Sequence, residues 1–413
     1  MVAKDSEKKI NPIPIYSLLI ANAISLVGNV FSAIAIPWFV LQTTGSATQT
    51  GITGFFTILP VVIAGFFGGT LIDRLGYKRT SIISDLASGV TTAMIPLLHF
   101  TIGLEFWQLM VLVFFGALLD APGGTARAAM LPELAEQAGM PIERATSLTH
   151  VIERGSRLVG APLAGLLIGI MGTENVLWVD AASFLISAGI IGIVISGQRT
   201  VARENKSARY LDELRDGLRF IAHDKLILAI VIMVMLTNFL DSIFGGVVRP
   251  VYVKEVYGNA LNLGFLIAAN GGGAVIGGLI FAAVGHRLPR HTVFVWAFVL
   301  AGMQLWVYLF YPPIAVLVAT GLIFSMGAGP LNPIIGAVEF ERIPENMRGR
   351  VFGAVTAGAW IAMPLGMLLG GIFTEELGVF TMLILLGIIY LIVTLSMAFI
   401  PAMKEMNKKA LER

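Results

Sequence analysis

The sequence predicts an all-α integral membrane protein: twelve transmembrane helices in two pseudo-symmetric six-helix halves. Three observations predict it. The 413-residue chain is 56% hydrophobic and only 13% charged, with a mean hydropathy of +0.83, whereas soluble chains carry about 25% charged residues. Apolar runs of about 20 residues, enough to cross a ~30 Å hydrocarbon core as a helix, recur between short polar breaks, and the ~10-residue alternation of a membrane barrel is missing. One long polar stretch, at 198–225, divides the runs six and six.

In chain order the first two spans, 14–42 and 47–73, are separated by QTTGSAT, and 79–102 follows the charged turn GGTLIDRLGYKRT. The loop TIGLE leads into 105–133, a polar turn leads into 143–171 with Arg144 at its start, and GTEN leads into 175–197. Beyond the polar stretch come 226–254, 260–284, 291–311 after Arg287 and Arg290, 313–341 after YPP, 347–374 after IPENMRGR, and 378–400 after TEELG. Within the polar stretch Leu211, Leu214, Leu218 and Ile221 recur at spacings of three and four, the pattern of a short amphipathic helix on the membrane surface. The first run is too long for a signal peptide and has no small-residue cleavage pattern, so it is expected to be retained.

Lysine and arginine set the orientation. They collect before span 1, between spans 2 and 3, 4 and 5, 6 and 7, 8 and 9, and 10 and 11, and after span 12. The alternate loops have none, apart from Lys254 and nearby Arg249. Both termini are therefore expected in the cytoplasm. The net charge of +2 is distributed by side of the membrane, and no nucleic-acid partner is expected. Without cysteine there is no disulfide framework, thiolate metal site or cysteine nucleophile. HExxH, GxSxG and GxxxxGK[ST] patterns are missing and the five histidines are scattered, so neither an intramembrane enzyme nor a P-loop ATPase is expected, and no metal or other cofactor.

The two halves, 1–197 and 226–413, echo each other across the linker 198–225. FSAIAIPWFV at 31–40 matches FGGVVRPVYV at 244–253, GGTLIDRLG at 68–76 matches GGLIFAAVG at 277–285, and APLAGLLIG at 161–169 matches MPLGMLLGG at 363–371. The order is preserved, at offsets of 213, 209 and 202 residues. Weak internal symmetry of this kind marks secondary transporters, whose substrate site lies near the bilayer midplane between repeats.

Residues 69–79, GTLIDRLGYKR, fit at every fixed position the loop Gly-x-Leu-x-Asp-Arg-x-Gly-x-Lys-Arg between helices 2 and 3 of the major facilitator superfamily. IPWFVLQTTGSA, TARAAMLPEL, DAASFLISA and IPENMRGRVFG resemble its branch of macrolide-efflux and enterobactin-exporter-like drug:proton antiporters. The resemblance implies the major facilitator fold, a monomer in the bacterial plasma (inner) membrane, and a cytoplasmic gate built on Gly69, Asp73, Arg74, Gly76, Lys78 and Arg79. It departs from the superfamily in two places. Gly116 stands near a position where many members have an arginine, and the antiporter Gly-Pro motif reads GSRLVGAPLAG, with Ala161 between Gly160 and Pro162.

Ionisable residues inside a membrane span are costly and mark function by default. Asp120 and Arg127 lie on span 4, and His150, Glu153, Arg154 and Arg157 recur along one face of span 5. Antiparallel packing about residues 138–139 predicts two buried ion pairs, Asp120 with Arg157 and Arg127 with Glu153. A carboxylate beside an arginine can exchange that partner for a proton, so Asp120 and Glu153 are proton-coupling candidates, against the alternative that the pairs only hold helices together. Asp241 on span 7 reads as a second proton or cation site or as a capping or packing residue, with Arg249 nearer the outside. Asp180 reads as structural. Asn22, Asn29, Trp38, Phe39, Asn238, Phe239, Phe244, Trp306, Met326, Trp360 and Met363 are substrate-cavity candidates, an aromatic and methionine-rich set that adapts to varied apolar ligands.

The function expected is secondary active export of amphipathic, drug- or macrolide-like small molecules by alternating access, as proton antiport. Export of a native metabolite such as a siderophore, or movement of a lipid, stays open, since Arg127, Arg154, Arg157 and Arg249 suit an anionic substrate.

Overall fold

A computed structural model describes residues 10–196 and 207–407, with the side chains at 65–71, 73, 74 and 207–214 outside the description. The described residues form helices and turns, without a strand. The helices are α1 (Ile13–Thr44), α2 (Ala47–Leu75), α3 (Tyr77–Thr101), α4 (Phe106–Gln137), α5 (Ile142–Met171), α6 (Thr173–Val194) and α7 (Ser207–His223). There follow α8 (Lys225–Ile243), joined through a π turn (Phe244–Val248) to α9 (Arg249–Tyr257), then α10 (Ala260–Val284), α11 (Arg290–Tyr308), α12 (Ile314–Ser325), α13 (Leu331–Arg342), α14 (Arg348–Trp360) and α15 (Met363–Ser396).

Ten described segments are long and apolar enough to cross a membrane. The last of them, Glu345–Phe399, holds two crossings, because α15 breaks at Gly378 (φ 80, ψ 156). Together with α5, which is less apolar because it carries Glu143, Arg144, Glu153, Arg154 and Arg157, this makes the twelve crossings expected. The α8–α9 and α12–α13 pairs each make one crossing, interrupted by the π turn and by a 3-10 turn at Met326–Ala328.

The chain divides into two compact units. The first takes the described residues of Met1–Ala33, Ile63–Gly160 and Glu174–Glu204. Its apolar core, at the end rich in basic loops, joins Ile15, Leu18 and Leu19 of α1 to Met130, Leu131 and Leu134 of α4, Ala145 of α5, and Ile191 and Ile195. Small residues bring the helices together, as they must where lipid removes the hydrophobic drive for association. A Cβ on Gly28 would lie 2.3 Å from the Asp180 carboxylate and one on Gly123 would lie 2.7 Å from the Ser84 Cβ.

The second unit takes the described residues of Asn205–Arg413 together with Ile34–Val62 and Ala161–Thr173, and in it these parts of α1, α2 and α5 pack with α9, α10 and α15. Glycine backbones make these contacts. A Cβ on Gly51 would lie 2.7 Å from Gly371 Cα, one on Gly165 2.6 Å from Leu261 Cα, and one on Gly264 2.3 Å from the Ala161 carbonyl oxygen. Polar bonds fasten the same end: the Ser46 hydroxyl and the Thr48 amide donate to Glu375 at 2.5 and 2.6 Å, Thr173 donates to Gln42 at 2.6 Å, and the Lys254 ammonium donates to the Leu41 carbonyl.

At the other end of this unit, α7 lies along α14. Gly217, whose Cβ would meet the Arg350 carbonyl at 2.7 Å, and buried Ile221 make its packed face, while Leu218 is 50% exposed. Leu211 and Leu214 lie outside the described side chains. Asp224 caps α8 by accepting from the amides of Leu226 and Ile227 at 2.9 and 3.0 Å. It also receives two bonds from Arg342, at 2.9 and 2.8 Å, and Arg342 bonds Glu405 as well. Arg290 holds Glu341 through two bonds of 2.8 Å.

Candidate functional site

Within the first unit, α1 and α4 form a polar ladder. Asn22 and Asn29 are seven residues apart on α1, and Asp120 and Arg127 are seven apart on α4. Seven residues are nearly two helical turns, so each pair shares a face, with its rungs ~10 Å apart. In the lower rung the Arg127 guanidinium donates to Asn22 Oδ1 at 3.1 Å and to Asp85 Oδ1, on α3, at 2.7 Å. The Ser187 hydroxyl of α6 donates to the second Asp85 oxygen at 2.7 Å, which closes the pair. Arg127 and Asp85 are buried, at 4% and 0% exposure. In the upper rung Asn29 donates to Asp120 Oδ2 at 3.2 Å, and Asp120 Oδ1 is buried with no hydrogen-bond partner. Asp180, on α6, is fully buried and accepts from Ser32 and Ser183.

The ion pairs expected between α4 and α5 do not form. Arg127 takes Asp85 instead of Glu153, and Asp120 takes Asn29 instead of Arg157. The packed face of α5 at this level consists of the small residues Ser156 and Gly160, with Gly160 set against Val30. The stripe of His150, Glu153, Arg154 and Arg157 is exposed rather than buried. His150 and Glu153 pair with each other at 3.3 Å, and Arg154 and Arg157 make no ion pair among the described residues. Further along, the same stripe continues as Ala161, Ala164 and Ile168, which are buried. Asp85 was not among the residues expected from the sequence; its only signal is that it is the one carboxylate inside span 79–102.

The second unit holds a cavity of about 240 Å³ lined by Asp241, Phe244, Arg249, Asn270, Gln304 and Tyr390, among others. Gln304 donates to Asn270 at 3.1 Å. The Arg249 guanidinium lies over the Phe244 ring at 5.4 Å, and its Nε has no hydrogen-bond partner. Asp241 reaches the cavity with its carboxylate accessible.

The other expected cavity residues are placed by packing. Trp38 and Phe39 are buried, at 2% and 4% exposure. Asn238 donates to the Ala359 carbonyl at 2.9 Å, and Ser242 donates to the carbonyls of Phe239 and Met363 at 2.7 and 3.1 Å. Gly277 packs on the Met326 backbone, the Trp306 ring lies against Gly387, and Trp360 is 44% exposed.

Of the gate motif, Gly76 caps the start of α3 with φ 80 and ψ 158, Lys78 donates to the Gly192 carbonyl of α6 at 2.9 Å, and Arg79 is exposed. Gly69 and the side chains of Asp73 and Arg74 lie outside the described set.

The model of the family described as transmembrane secretion effector matches residues 13–413. A multidrug efflux pump, Tap, of Mycolicibacterium fortuitum is 29% identical over 398 residues, 95% of this chain and 97% of that protein. Macrolide efflux protein A of Streptococcus pyogenes is 20% identical over 396 residues, with 95% and 97% covered. Among solved structures, the nucleoside transporter NupG superposes with a TM-score of 0.75 at 12% identity, covering 94% of this chain and 98% of that one. A POT family transporter in complex with 5-aminolevulinic acid superposes with a TM-score of 0.70, also at 12% identity, covering 94% and 96%. With that fold and a family match that runs nearly end to end, the chain belongs to the transmembrane secretion effector family, a membrane transporter of the major facilitator superfamily.

Proposed function

We propose that the protein exports amphipathic, drug- or macrolide-like small molecules by proton antiport, with both termini in the bacterial cytoplasm and the basic loops facing inward. The observation that carries the coupling is the upper rung of the α1–α4 ladder. Asp85 has both oxygens engaged by Arg127 and Ser187, so proton exchange there would break a closed pair. Asp120 has one oxygen on a neutral amide and the other without a partner, and gaining a proton there breaks nothing. Loss or gain of that charge one rung from Arg127 changes the electrostatic balance between α1 and α4, a handle on a change of conformation.

The glycine contacts and short polar bonds at the far end of the second unit supply what alternating access needs at one face: a seal of small residues that can part without dismantling a core. The names of the two curated relatives support the substrate class. Arg249 in the cavity supports a second reading, a substrate carrying an anionic group, such as a siderophore or lipid.

Purified protein in proteoliposomes with an imposed pH gradient and an internal pH dye tests the coupling. Erythromycin or tetraphenylphosphonium should trigger proton flux, and Asp120→Asn should abolish the flux while labelled compound still equilibrates. Undiminished proton flux in Asp120→Asn would remove Asp120 from the coupling, and flux triggered by a catecholate siderophore alone would favour the second reading.

A further inference from the structure

We propose that the cavity in the second unit is a subsite for a zwitterionic head group of the exported molecule, with the cationic nitrogen on Asp241 and the anionic oxygen on Arg249. This deepens the transport reading and rests on it.

Both charges line one cavity of about 240 Å³, yet among the described residues no ion pair or hydrogen bond joins them. Opposite charges within a low-dielectric pocket ordinarily close on each other. Here Arg249 is held away by its stacking on Phe244 at 5.4 Å, which leaves its Nε without a partner. With no bond joining them, each group keeps its own face of the cavity, and a dipole that enters can meet both.

The backbone explains why they share a cavity. In a regular α-helix residues eight apart point ~80° away from each other. The π turn Phe244–Val248 lies between Asp241 and Arg249 and absorbs one extra residue, so the two stand as if seven apart, ~20° from alignment. Such π insertions are frequent at functional sites. Gly245 belongs to that turn, and a Cβ there would come within 3.2 Å of the Arg249 guanidinium.

Size limits the occupant. The cavity is smaller than the roughly 300–1,000 Å³ that enclose drug-sized ligands, so it takes a head group and not a whole macrolide. The Gln304–Asn270 bond fixes two more polar groups on the wall, and Phe298 and Tyr390 close it with aromatic surface. A ligand with one charge leaves Asp241 or Arg249 unmatched, and a neutral ligand leaves both.

The test measures binding to the purified protein in detergent at pH 7.4 by calorimetry, with three probes built on one aromatic core. They are a piperazinyl quinolone carboxylic acid (zwitterion), its methyl ester (cation) and its N-acetyl derivative (anion). The zwitterion should bind at least tenfold more tightly than either derivative. Arg249→Gln should bring it down to the level of the ester, and Asp241→Asn to the level of the N-acetyl compound. Equal affinities for the three probes on the unaltered protein would overturn the subsite, as would substitutions that weaken all three alike. The comparison on the unaltered protein stands even where a variant folds poorly. Binding needs no gradient, so a failure of proton coupling leaves this result legible, and equal affinities alongside intact flux would remove only the subsite.

Discussion

Arg127 of α4 and Asp85 of α3 meet at 2.7 Å, both nearly or fully inaccessible, with Asn22 and Ser187 completing their hydrogen bonds. Removing one partner strands a charge, which in buried pairs costs about 3–5 kcal/mol, whereas replacing both with apolar residues is often far milder. Asp85→Leu and Arg127→Leu are each expected to lower the thermal midpoint in detergent sharply, and the double variant carrying both to recover a large part of the loss. Circular dichroism melts of the three variants measure it, and a double variant as unstable as the two losses added would show that the pair is not coupled.

At the far end of the second unit Gly51 and Gly371 meet without side chains, the contact that the transport reading treats as a seal. Gly371→Leu places a side chain where the other backbone stands, so the sealed arrangement becomes inaccessible. The cysteine-free chain allows a clean reading. Thr50 is 1% exposed, so Thr50→Cys should label slowly with a maleimide, and adding Gly371→Leu should speed labelling at least tenfold and abolish transport. Unchanged labelling would mean that the glycine contact is not what excludes solvent there.

The fold was legible because membrane helices announce themselves by length and apolarity, and their ends by charge. Span 260–284 coincides with α10 and the others agree within a few residues. The pairing of buried charges was less legible. Hairpin arithmetic set Arg127 level with Glu153, but level is not azimuth: the small residues Ser156 and Gly160 decide which face of α5 packs, and Asp85 comes from another hairpin. The π turn was hidden too, because one extra residue in an apolar run leaves no trace in hydropathy, although it decides where Arg249 points.

Gly76 and Gly378 adopt nearly the same positive-φ, extended-ψ conformation, φ 80 with ψ 158 and φ 80 with ψ 156. Each sits where one helix gives way to the next. That region is essentially reserved for glycine, and a Cβ there costs about 1–3 kcal/mol, so Gly76→Ala and Gly378→Ala should destabilise the protein comparably, each by several degrees in thermal midpoint. If the α2–α3 turn is the gate, only Gly76→Ala should also slow drug-driven proton flux. Equal slowing in both would reduce the turn to a structural connection.

Asp224 ties the start of α8 to Arg342, and its titration should be visible in stability. Burial alone would raise its carboxyl, but the bonds from Arg342 and from the amides of Ile227 and Leu226 outweigh it and hold the group below its ordinary value of 3.8. A group depressed in the folded state contributes stability that is fully present above the unfolded value and is lost as pH falls through the folded one. On this account the thermal midpoint is flat from neutral pH to about 5 and drops below about 4. Asp224→Asn keeps the helix cap, since asparagine caps as well as aspartate, but gives up the charge-assisted bonds to Arg342, worth about 1.5–3 kcal/mol. The variant should therefore start from a lower midpoint at pH 7 and fall less steeply in acid, whereas Asp224→Ala should lose the cap as well and be the less stable of the two. Parallel melting curves for the native protein and Asp224→Asn across pH 3–7 would show that Arg342 gains nothing from the aspartate's charge.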